Sequence, residues 1–144
     1  MKTARAWAVE LAHEPLRSEI EIVTCQTGET TLRVDGVLLH SRYRPREEAA
    51  RLIESAALEP GKPIIVVGVG CGYHVRALLD AGHSVVVIEP DRCVAKCALA
   101  AALGGSDVLL HIGEPDALLA DAQFQDVVRR DAQVFVHPPT ERLH

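Results

Sequence analysis

Apolar positions along the 144 residues fall into two regimes, one before Ile64 and one after it. Near the start, Ala6, Trp7 and Leu11 recur at helical spacing within Thr3–His13, and Pro15 closes that segment. Glu19–Cys25 and Thr30–Val34 alternate apolar and polar residues, the period of a half-buried strand, around the turn-prone Gln26-Thr27-Gly28-Glu29. Asp35-Gly36 is a two-residue hairpin signal returning the chain through Val37–His40, so a small antiparallel meander is expected. Arg44-Pro45 opens a helix striped by Ala49, Leu52, Ile53 and Ala56. From Ile64 the strands become continuous apolar runs: Ile64–Val67, Ser84–Ile88, Val108–Ile112 and Gln133–His137. Runs this short and this rich in β-branched residues read as parallel strands buried on both faces. Helical stretches separate them at His74–Ala81, Arg92–Leu103 and Pro115–Arg130, the last broken near Ala122. Pro138-Pro139 halts the final strand.

Strand and helix in alternation predict an α/β fold: a Rossmann-like parallel sheet in three layers, α/β/α, with strand order 3-2-1-4. An N-terminal helix and the small antiparallel β meander precede it. Residues 1–43 are expected to hold the helix and meander, and residues 44–144 the Rossmann-like unit. Four sheet strands are fewer than the six of a full doubly wound domain, so the unit reads as truncated. Its last strand is then an open edge, which the meander, a homodimer partner or further sequence would cover.

Composition narrows the partners. The formal net charge is −5, which disfavours a nucleic-acid backbone as ligand. No apolar run approaches the ~20 residues that cross a bilayer, so no membrane partner is expected. The first residues, MKTARAWAVELAHEP, lack a signal-peptide core, and a cytoplasmic location follows as the expectation. Cys25, Cys71, Cys93 and Cys97 form no Cys-x-x-Cys pair. They read as free thiols, and no metal is expected.

The chemistry concentrates in IIVVGVGCGYHVRALLDAGHSVVVIEPD, residues 64–91. Gly68, Gly70 and Gly72 make a side-chain-free corner after the first strand, and Glu89 ends the second. Such a corner lets a ligand approach the backbone, a helix N-terminus offers free N–H groups, and a strand-end carboxylate accepts ribose hydroxyls. A small-molecule ligand of the nucleotide type is therefore expected. A Gly-x-Gly-x-x-Gly dinucleotide fingerprint fails in both registers, at Tyr73 and at Val75.

Val66-Val67-Gly68-Val69-Gly70-Cys71-Gly72 resembles the first motif of the class I S-adenosylmethionine-dependent methyltransferases, with Glu89 at the ribose-binding position. Gly68 stands where that family has an acid, and His74 where it has a last glycine. A longer stretch is similar to the N-terminal region of the motility accessory factor (Maf) glycosyltransferases. It comprises Thr31–Gly36, His40-Ser41-Arg42-Tyr43, Pro45, Glu48-Ala49, the loop through Tyr73-His74 and Ile88-Glu89-Pro90. That resemblance accounts for both departures.

The resemblances imply S-adenosylmethionine or another adenosine ligand, held by Gly68, Gly70, Cys71, Gly72, Tyr73, His74, Glu89, Pro90 and Asp91. His137, at the end of the fourth strand before Pro138-Pro139, is the one candidate for a catalytic base. Three readings of function remain: a nucleotide- or S-adenosylmethionine-binding module of a Maf-like transferase, a free-standing methyltransferase acting on a small molecule, and a structural domain whose pocket its own side chains fill.

Overall fold

The structure is a computed structural model describing residues 1–144. A five-stranded sheet carries four parallel strands: β5 (Ile64–Val67), β6 (Val85–Glu89), β7 (Leu109–Ile112) and β8 (Gln133–Val136). Their spatial order is β7-β6-β5-β8, the 3-2-1-4 order expected of a Rossmann-like sheet. In register, Val66 lies beside Val87 on one side and Phe135 on the other. The fifth strand is β1 (Lys2–Thr3), antiparallel to β7. Two residues at the head of a helical run carry no strand signal of their own; pairing with Leu109 and Leu110 makes them one. Thr3 then caps α1 (Ala4–Glu10), its Oγ1 accepting from the Ala6 N–H at 3.2 Å.

The meander forms as expected from β2 (Ile20–Thr24), β3 (Thr30–Val34) and β4 (Val37–Leu38). Asp35 and Gly36 both take positive φ at its tight turn (47° and 81°), the left-handed pair that a two-residue hairpin needs. These strands are a separate sheet and add no strand to β8. Helices α2 (Pro45–Ser55), α3 (Tyr73–Asp80) and α4 (Arg92–Ala101) lie with α1 and the meander against one sheet face, burying Ile64, Val66, Val87, Leu110 and Phe135. Residues 1–43 and 44–144 share that one core, with Trp7, Leu11, Leu32 and Val34 in the same cluster as Val66 and Leu110. The Trp7 indole N–H donates to the Leu110 carbonyl at 3.0 Å.

On the opposite face α5 (Ala122–Arg129) packs through Phe124 and Val127 on Ile65 and Val86, and a 3₁₀ segment (Pro115–Ala120) leads into α5 and packs against it. Toward the β8 edge that cover thins: Val134 is 61% and Val136 41% exposed. The Pro138-Pro139 pair does not simply end β8. It opens a further helix, α6 (Pro138–Leu143), because proline at the first helical positions loses no hydrogen bond that the helix would have made. No helix is long and apolar enough to cross a membrane.

Candidate functional site

At the carboxyl ends of β5 and β8 the strand order reverses, the usual ligand crevice of an open α/β sheet. Gly68, Gly70 and Gly72 turn there with φ of 93°, 52° and 87°. All three lie in the left-handed region that a Cβ disfavours. The space beside them is occupied by the protein. A Cβ on Gly68 would collide with the Thr140 hydroxyl on α6. One on Gly70 would strike His40 Nε2 and lie 3.0 Å from His137 Cε1; one on Gly72 would lie 2.8 Å from Leu103 Cγ. The glycines here permit close packing against side chains of the same chain.

Glu89 is 2% exposed and aimed at the loop. One oxygen accepts from the Val69 N–H at 2.8 Å and the other from the Asp91 N–H at 2.9 Å. Burial pushes its carboxyl up to about 7, and the two backbone amides pull the other way. The carboxylate thus organises the turn and the start of α4. Removing it strands the buried Val69 N–H, costing roughly 1–3 kcal/mol, and frees the half-buried Asp91 N–H at a smaller cost. Glu89→Ala is expected to lower the unfolding free energy by about 2–5 kcal/mol in urea melts; a loss under about 0.5 kcal/mol would show that the amides are not its main partners.

The remaining expected residues fall as follows. Asp91 Oδ1 caps α4 by accepting from the Cys93 and Val94 N–H groups, and Oδ2 pairs with Arg17. Pro90 is half-buried between the two acids. Tyr73 donates its hydroxyl to the Thr30 carbonyl at 2.5 Å, tying α3 to the meander. The Cys71 thiol is buried and pushed up to about 12 by desolvation, the opposite of a nucleophile's environment.

Three imidazoles close the corner: His40 from the segment after β4, His74 from the first turn of α3, and His137 between β8 and α6. They are 3%, 0% and 1% exposed. His74 and His137 stack at 4.3 Å with 5° between planes, and His40 lies 4.8 Å from His137. His74 Nε2 sits 2.8 Å from the Gly68 carbonyl, which can only accept, so Nε2 carries the proton and Nδ1 a bare lone pair. That Nδ1 is buried without a partner. His40 Nε2 accepts from the Cys71 N–H at 3.0 Å, so its proton is on Nδ1, facing Glu48 Oε1 at 3.8 Å. His137 Nδ1 is 3.4 Å from the Thr140 hydroxyl. Desolvation holds all three neutral: His74 is pushed down to about 4, and His40 and His137 well below the usual imidazole value.

His74 and His137 are legible as candidates in the sequence; His40 and Thr140 are not. His40 sits in HSRYRPR, where the arginines draw attention, yet Arg46 turns to Glu29 and Arg44 to Glu47. Thr140 becomes visible only if Pro138-Pro139 is read as a helix start. Beside the cluster, a cleft of about 680 Å³ opens between Ser41, Glu48, Leu52 and Pro138.

No family model matches the sequence. An "Uncharacterized protein" of Treponema pallidum (strain Nichols) is 40% identical over 96 residues, which is 60% of this chain and 32% of that protein. A protein-L-isoaspartate O-methyltransferase of Methylorubrum populi is 39% identical over 79 residues, 51% of this chain and 37% of the enzyme. The chain spans about a third of the length of these curated relatives. Among solved structures, a Maf glycosyltransferase from Magnetospirillum magneticum AMB-1 superposes on 96% of this chain and 32% of its own, with TM-score 0.59 and 14% identity. The chain therefore has the Rossmann-like α/β fold that this glycosyltransferase also contains.

Proposed function

We propose that this chain is a Rossmann-like domain of methyltransferase ancestry whose adenosine corner is filled by its own side chains, serving as a non-catalytic structural module of a Maf-like transferase. The observation that carries this reading is the occupancy of the glycine corner. His40, His137 and Thr140 stand where Cβ atoms on Gly70 and Gly68 would fall. Burial of Glu89 supports it, because a ribose would have to reach a carboxylate that the protein already covers and that already orders two backbone amides. The shared fold with the Maf glycosyltransferase supports the association with a transferase.

A second reading is favoured by the 39% identity to the isoaspartate methyltransferase. In it, Gly68, Gly70, Gly72 and Glu89 hold S-adenosylmethionine once α6 moves aside, and His137 meets the acceptor. Thermal melts in EDTA with S-adenosylmethionine, S-adenosylhomocysteine, NAD and sugar nucleotides separate the two. A ligand at a hundred times its dissociation constant adds about 2.7 kcal/mol, an easily seen rise in Tm. The closed-corner reading expects no rise with any of them at millimolar concentration. A rise with either S-adenosyl compound, abolished by Gly68→Val, would overturn it in favour of the second.

A further inference from the structure

We propose that His40, His74 and His137 bind one divalent transition-metal ion of the imidazole-preferring kind, zinc being the natural probe, and that the ion staples three separate segments over the glycine corner. This rests on the closed-corner reading and names what holds the corner shut. The ligand nitrogens lie within 4.8 Å of one another. Zinc takes nitrogen at about 2.0–2.1 Å, which places tetrahedral ligand atoms about 3.3 Å apart, so binding asks the nitrogens to draw together and the His74 and His137 rings to tilt out of their parallel stack until both planes contain the ion.

One of the three rings, His74, already makes the hydrogen bond of an oriented ligand. Metal-bound imidazoles hold their second nitrogen by donating to a carbonyl or carboxylate. His74 does so through Nε2 to the Gly68 carbonyl, leaving Nδ1 as a buried lone pair with no other partner. His40 presents Nδ1 toward Glu48, so Nε2 is its available lone pair, and binding moves that lone pair from the Cys71 amide to the ion. The Thr140 hydroxyl can donate or accept, which lets His137 offer either nitrogen. All three rings are neutral at pH 7, the form that ligates. The cleft lined by Ser41, Glu48 and Pro138 reaches the chain neighbours of His40 and His137, and an ion entering from it has to displace side chains that bury the rings. With three protein ligands, water takes the fourth position. Sequence spacing hides the set, since the three residues are brought together only by the sheet crossover and the hairpin.

The test loads the full chain with zinc, removes excess by desalting and measures metal content and affinity by competition with a chromophoric chelator. One ion per chain is expected, with a Tm rise of roughly 5–10 °C at a hundred times the dissociation constant. His137→Gln should weaken binding at least a hundredfold, whereas the exposed pair His13→Ala/His144→Ala should not change it. Zinc should also shift the Cys71 backbone amide resonance. Should the His137 variant not fold, X-ray absorption of the cobalt(II)-loaded wild type decides: a nitrogen/oxygen shell with imidazole scattering supports the site, and a sulfur shell overturns it. No retained metal, or retention unaffected by His137→Gln, also overturns it. Zinc binding together with S-adenosylmethionine binding would sink the closed-corner reading and leave the ion site standing; binding of neither would do the reverse.

Discussion

Acidification from pH 7 to pH 4 in EDTA is expected to destabilise the fold, with the urea midpoint falling most steeply between about pH 4 and 6. The cause is the buried imidazole cluster. An unfolded histidine takes a proton below about pH 6.5. In the folded protein His74 does so only near pH 4, and His40 and His137 lower than their usual value, because burial disfavours the charged rings. The folded values are depressed, so the unfolded chain binds more protons in this window, and the stability present above pH 6.5 is lost as pH falls. His74 alone, moved from 6.5 to about 4, accounts for on the order of 3 kcal/mol. Glu89 works in the opposite direction. Its carboxyl is raised from 4.5 to about 7, so the native state holds a proton that the unfolded chain sheds, and acidification across that window favours folding. That offsets His74 alone, and the two further rings, both held well below the usual imidazole value, leave the balance on the side of destabilisation by acid. Urea midpoints at pH 7, 6, 5 and 4 measure it. A midpoint that holds steady or climbs on acidification would mean that the rings are not buried and neutral together.

Gly70→Ala should destabilise the protein far more than Gly82→Ala, by about 3–5 kcal/mol against about 1–2 kcal/mol. On φ alone the order would be reversed. Gly70 has φ of 52°, close to the left-handed well that alanine tolerates, whereas Gly82 has φ of 88°, further from it. What separates them is the neighbourhood. A Cβ at Gly82 meets nothing within 4 Å, while one at Gly70 meets the His40 ring and the edge of His137. Relief requires His40 to withdraw, breaking its bond from the Cys71 N–H and opening a buried void. Equal losses in the two variants would show that the corner has room to spare, as an open ligand site would.

Much of the architecture is written locally. The β-branched runs Ile64–Val67 and Val85–Glu89 are strands wherever they are buried, and Asp35-Gly36 makes a hairpin through its own dihedral preferences. These depend on side-chain sterics and period, which neighbouring residues share. The glycine corner and Glu89 are equally visible, since a carboxylate at a strand end beside a glycine turn is a local pattern. Less legible is β1, whose two residues become a strand only through β7, and α6, which shares its Pro-Pro start with an ordinary turn.

Strand–helix alternation, the hairpin and the glycine turn are written in the chain, because each follows from preferences acting over a few residues, whereas the 3-2-1-4 order follows from the handedness and topology rules of such alternations. What fills that turn comes from long-range packing. His40 is thirty residues before Gly70 and Thr140 seventy after it, and no periodicity links them. Their meeting depends on how the meander and α6 pack over the strand ends. The same three imidazoles, unremarkable at their separate places in the chain, become one buried neutral cluster once the crossover places β8 beside β5.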